Sequence, residues 1–128
     1  MLIAERDRNV RELQRVFLER AGLGVEFADD GLAALECAQG APPVLVVTEI
    51  LLPRLDGLTL CRRLRDEPAT AHVPVIVFSI LAAAARSAEA GARAFLRKPI
   101  VESTFVAAAL GAIQTQSPAT TEPEWASP

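Results

Sequence analysis

Short runs of apolar and β-branched residues recur along this chain. After each, apolar residues return every three or four positions. The runs are Leu2-Ile3-Ala4, Val25-Glu26-Phe27-Ala28, Val44-Leu45-Val46-Val47, Val73-Pro74-Val75-Ile76-Val77-Phe78 and Ala94-Phe95-Leu96. Strand-like runs alternating with helical stretches read as successive βα units, hence an α/β fold with a parallel sheet covered by helices on both faces. The Val44 run lacks the polar alternation of a half-exposed strand, so both of its faces are expected in the interior. Crossovers are expected to be right-handed. Residues 8–21 carry Val10, Leu13, Val16 and Phe17 at helical spacing, and Gly22 and Gly24 end that stretch. Asp29 and Asp30 precede a second helical stretch with Leu32, Leu35 and Ala38. Asp56-Gly57 opens a third, with Leu60, Cys61 and Leu64 on one side and Pro68 as its stop. Residues 82–90 are Ala-rich and helical by propensity. Residues 102–114 repeat Phe105, Ala109 and Ile113 at four-residue spacing, and Val101 is a poor cap, so that helix is expected to start late, towards Ser103. One domain over residues 1–115 follows, with the Ser/Thr/Pro/Glu-rich residues 116–128 expected as a disordered tail.

Charge and composition exclude several function classes. The net charge is −3, and no Lys/Arg run exceeds two residues. Neither nucleic acid nor an acidic membrane surface is therefore an expected partner. No signal peptide and no apolar run of about 20 residues is visible, which makes the cytoplasm the expected location. Cys37 and Cys61 lie in amphipathic stretches without metal-site spacing and are expected as buried, reduced thiols. His72 reads as a loop residue.

In sheets of this kind the working residues gather at the carboxyl ends of the strands. There stand Glu5, Arg6 and Asp7 after the first run, Glu49 after the third, Ser79 after the fourth and Lys98 after the fifth. Asp7 reads as the cap of the first helix.

Six pieces around these residues resemble, in order and nearly in spacing, the receiver domains of bacterial two-component response regulators. They are Leu2 to Asp7, Val44 to Glu49, Leu52-Pro53-Arg54-Leu55-Asp56-Gly57, Val73 to Ser79, Ala90-Gly91-Ala92 and Phe95-Leu96-Arg97-Lys98-Pro99. The resemblance implies a flavodoxin-like (βα)5 fold, a doubly wound five-stranded sheet of order 2-1-3-4-5. It also implies an Asp at the end of the third strand that accepts a phosphoryl group, and two acids after the first strand that help hold Mg²⁺. A Ser or Thr and the Lys of a Lys-Pro pair contact the phosphoryl oxygens, and the Lys-Pro bond is often cis. This chain keeps the last two as Ser79 and Lys98, but has Glu49 at the acceptor position and Glu5-Arg6 as the acid pair. Phe95 occupies the aromatic switch position. From Ser79 to Lys98 the chain is a few residues shorter than the family's usual spacing. The output face of the fourth helix, fifth strand and fifth helix is therefore expected to be shortened and Ala-rich, suited to a signalling partner or a second copy.

The departures change the charge balance. Glu5 and Glu49 against Arg6 and Lys98 cancel, so no Mg²⁺ is expected, and like charges 4 Å apart cost about 4 kcal/mol per pair at an effective dielectric near 20. Arg6 or Lys98 is expected to pair with Glu49. Glu reaches roughly 1.5 Å further than Asp, which misplaces it for in-line phosphoryl transfer. The expected function is therefore an atypical, non-enzymatic receiver acting by protein contact without phosphorylation. The alternatives are a receiver phosphorylated on Glu49 or another acceptor, and a flavodoxin-like nucleotide or flavin binder. The last lacks a GxGxxG or P-loop glycine cluster.

Overall fold

The computed structural model describes residues 1–114, and the residues expected as a tail lie outside them. Strands and helices alternate as β1 (Leu2–Ala4), α1 (Arg8–Arg20), β2 (Glu26–Ala28), α2 (Gly31–Gly40), β3 (Val46–Thr48), α3 (Gly57–Asp66), β4 (Val75–Ser79), α4 (Ala84–Glu89), β5 (Ala94–Arg97) and α5 (Glu102–Gln114). All strand pairs are parallel and the sheet order is β2-β1-β3-β4-β5.

Because strand side chains alternate between faces, each strand feeds two cores. Leu2, Ala4, Val46, Val75 and Val77 pack with Leu35 of α2 and Leu60 and Leu64 of α3. Ile3, Val47, Ile76 and Phe78 pack with Leu18 of α1 and Phe105 and Ala109 of α5. Phe78 and Phe105 meet tilted, with ring centroids 5.3 Å apart. Burying one such aliphatic or Phe side chain contributes about 1.5–3 kcal/mol relative to leaving it in water.

Several boundaries move for physical reasons. β3 starts at Val46, where pairing with Leu2 of β1 and Val75 of β4 begins; Leu45 before it is buried outside the strand and Val44 is half exposed. On α1 the fully buried positions are Gln14 and Leu18, while Leu13 and Val16 are exposed, so the apolar spacing marked the helix but not its inner face. Asp7 caps α1 by accepting the Asn9 and Val10 amides, and Asp30, rather than Asp29, caps α2 by accepting the Ala33 amide. α4 is only six residues long and Ala83 gives it no side-chain cap, so the Ala-rich stretch supplies less helix than its propensity suggests. α5 begins at Glu102 rather than at Ser103, with the Phe105 amide bonded to the Val101 carbonyl. Cys61 is buried and burial pushes its thiol up to about 12, with Arg65 and Arg62 working against the shift. Cys37 is exposed, correcting the expectation of burial. His72 lies in an exposed turn. Among the described residues no helix is long and apolar enough to cross a membrane.

Candidate functional site

The sheet ladder continues one residue past the strands and sets the site. The Glu5 amide donates to the Ala28 carbonyl (3.3 Å), the Glu49 amide to Ala4 (3.0 Å) and the Lys98 amide to Ser79 (2.9 Å). Glu5, Glu49, Ser79 and Lys98 therefore stand side by side at the carboxyl edge. The loop following β3 is fixed from below by glycine. A Cβ on Gly57 would lie 2.0 Å from the Glu49 carbonyl oxygen, and one on Gly31 would lie 1.8 Å from that of Leu55. Only hydrogen at these positions lets the 51–56 loop sit down on the strand ends.

Lys98 is the centre of the cleft. Its Nζ lies 2.9 Å from Glu5 Oε1 and 3.2 Å from Glu49 Oε1, and 5.5 Å from the Phe78 ring centroid. The contact to Glu5 is an ion pair without an aligned hydrogen bond. Both carboxylates are buried, Glu5 to 1% and Glu49 to 4% exposure. The other two oxygens face backbone: Glu5 Oε2 accepts the Asp7 amide (3.1 Å), and Glu49 Oε2 accepts the amides of Ile50 and of Leu51 (3.2 Å to Leu51). Ser79 Oγ accepts the Leu81 amide (3.2 Å) and its hydroxyl also bonds the Glu49 carboxylate.

Burial pushes the Glu49 carboxyl up. Hydrogen bonds from Ser79 and the Leu51 amide and the charge of Lys98 outweigh it, so the group ends below the ordinary glutamate range. Burial likewise pushes the Lys98 ammonium down, and Glu5, then Glu49, more than reverse this, leaving it above the ordinary lysine range. Both groups are charged at neutral pH.

Arg6 does not enter. It is exposed, and among the described residues the salt bridges to Glu5 and Glu49 come from Lys98. The expected charge balance is corrected accordingly: two carboxylates against one ammonium leave one negative charge. Phe95 is half buried against the α2–α3 side of the core. The Lys98–Pro99 bond is cis.

Sequence reasoning missed Arg11. Its Nε donates to the Glu5 carbonyl, and one terminal nitrogen donates to the Ala28 carbonyl (3.1 Å) and to Asp29 Oδ1 (2.7 Å). It ties the end of β1 to the end of β2 beneath Glu5. The available signal was a cation in the first turn of α1, where the helix dipole disfavours positive charge.

The family model for the response regulator receiver domain matches residues 1–110. This chain belongs to that family. It is 38% identical over 110 residues to the transcriptional regulatory protein CseB of Streptomyces coelicolor, covering 84% of this chain and 46% of that protein. It is 33% identical over 121 residues to the response regulator MprA of a Mycobacterium species, covering 92% of this chain and 52% of that one. The chain thus spans about half the length of these curated relatives. A crystal structure of a putative response regulator from Chloroflexus aurantiacus superposes with a TM-score of 0.84 at 31% identity, covering 88% of this chain and 95% of that one.

The family implies a magnesium ion, and the residues here do not fit one. A hard divalent cation needs about six oxygen ligands. The two carboxylates at the edge already hold an ammonium and three backbone amides. Arg6, in the acid pair, offers no oxygen from its side chain, and Asp7 is committed to capping α1.

Proposed function

We propose that this receiver domain works in two-component signal transduction as a phosphorylation-independent interaction module. It does not turn over a substrate, and it binds a signalling protein or a second copy of itself through the surface of α4, β5 and α5 in the cytoplasm. The observation that carries the reading is the Lys98 ammonium lying between two buried carboxylates, one of them Glu49 at the acceptor position. An acceptor must present a free oxygen in line with an incoming phosphoryl group. Glu49 instead directs one oxygen at Lys98 and the other at the Ile50 and Leu51 amides. The short α4 exposes Ala85 beside Arg86 and Glu89, and Val101 is half exposed just before α5, so the proposed face is small and mixes apolar with charged groups.

The test is incubation with acetyl phosphate and Mg²⁺ followed by intact-mass measurement. The mass is expected to stay unchanged. A gain of one phosphoryl group on Glu49 would establish the alternative, a phosphorylatable receiver with an unusual acceptor.

A further inference from the structure

We infer that Lys98 is the built-in cation of this cleft: its ammonium, within 2.9 Å of Glu5 and 3.2 Å of Glu49, holds the place between the two carboxylates that a divalent metal would need. The cleft accordingly takes up no divalent cation at millimolar concentration.

The donor count is the first argument. Three of the four carboxylate oxygens of Glu5 and Glu49 face the Lys98 ammonium or backbone amides within hydrogen-bonding or ion-pair reach, and the fourth, Glu5 Oε1, lies 2.9 Å from the same ammonium as an ion pair. A metal entering here would have to strip the ammonium from both Oε1 atoms. Lys98 is 12% exposed and lies against the Phe78 ring, so an evicted ammonium would keep little solvent unless the whole side chain swung out. Charge is the second argument. One residual negative charge is a weak attraction for a divalent ion whose dehydration is costly. The third is that no further carboxylate stands by to help a metal displace the ammonium. Recruiting Asp7 would release the Asn9 and Val10 amides at the start of α1.

The inference shares its cleft with the proposed function but fails separately from it. Metal binding without a mass gain under acetyl phosphate overturns this inference and leaves that reading standing, whereas a mass gain overturns that reading.

The experiment adds Mn²⁺ to isotopically labelled protein and follows paramagnetic broadening of amide signals. In the wild type, the amides of Glu5, Glu49 and Lys98 are expected to broaden no more than those of exposed surface carboxylates. Saturable broadening centred on Glu5 and Glu49 overturns the inference. Lys98→Met then opens the space while keeping the aliphatic stem. Two carboxylates with several waters suffice for Mg²⁺, so the variant is expected to melt about 5 °C or more higher with Mg²⁺ than without, against no shift for the wild type. A variant that stays indifferent to Mg²⁺ overturns the claim that the ammonium is what fills the site. Should Lys98→Met not fold, the wild-type titration decides alone.

Discussion

Lys98→Met also measures how much the ion cluster contributes to stability, and its pH dependence is diagnostic. The substitution leaves Glu5 and Glu49, 1% and 4% exposed, facing each other without a cation. Removing one partner of a buried pair costs about 3–5 kcal/mol. Protonation sets a ceiling, because a carboxyl with an unfolded value near 4.3 can be neutralised at pH 7 for about 3.7 kcal/mol, at 1.36 kcal/mol per pH unit. The expected penalty at pH 7 is therefore about 3–4 kcal/mol. It falls to about 1 kcal/mol at pH 5, where the proton is nearly free. The sign of the slope reverses as well. In the wild type the Glu49 pKa is lowered on folding, so its contribution is present above the unfolded value and is lost as pH falls through the folded one. In the variant the buried carboxyl is raised, so acidification stabilises it. The raised Lys98 pKa contributes below the ordinary lysine value and is lost only as pH rises past it, outside this window. Urea denaturation of both proteins at pH 7 and pH 5 reads the difference. A penalty under about 1 kcal/mol at pH 7, or one that does not shrink at pH 5, would refute the assignment of Lys98 as the shared counter-ion.

Two further substitutions probe what surrounds the cleft. Gly57→Ala places a methyl 2.0 Å from the Glu49 carbonyl oxygen, and backbone cannot yield as a side chain can. It is expected to cost about 2–3 kcal/mol in chemical denaturation and to shift the amide signals of Ile50 and Leu51. Gln14→Leu acts in the opposite direction. Both side-chain polar atoms of Gln14 are buried without a hydrogen-bond partner, so replacing the amide by an aliphatic group of similar size is expected to stabilise the domain by about 1–2 kcal/mol in the same assay. A destabilised Gln14→Leu would show that the amide has a partner, such as a buried water.

The sheet was legible because its signals are local. Runs such as Val44 to Val47 and Val73 to Phe78 have no exposed alternation, and short connections between strand and helix leave few topologies. The boundaries were less legible. The start of β3 depends on pairing with β1 and β4, which begins at Val46 although Leu45 before it is fully buried. The site was legible in its membership but not in its geometry. Lys98 could be named because its motif fixes a backbone register beside Ser79. Arg6 was assigned inward on charge alone. Its long side chain reaches solvent instead, where its charge needs no partner, and that outcome depends on packing the sequence does not show. Arg11 was invisible because its partners, the Glu5 and Ala28 carbonyls, come together only once β1 and β2 pair. Gln14 was hidden for a related reason: a polar residue on a helix is read as outward unless the packing of α1 is known.

The additional methylene of Glu49 links these observations. At the end of β3, four donors converge: the amides of Ile50 and Leu51, the Ser79 hydroxyl and the Lys98 ammonium. Such a set attracts an anion, since each donor is desolvated and oriented before any ligand arrives. A side chain that ends short of the donors would leave them facing outward. Glutamate reaches roughly 1.5 Å further than aspartate, and here its carboxylate takes all four. The cleft thus holds its own anion in Glu49 and its own cation in Lys98, with Glu5 sharing the cation from the other side. On this reading the two departures from the family pattern have one physical effect. Glu49 occupies the donors, and Arg6 withholds the oxygen that would help a metal compete with Lys98. The carboxyl edge is left charged, paired and structurally complete, which supports the proposal that a partner engages α4, β5 and α5 and not this edge.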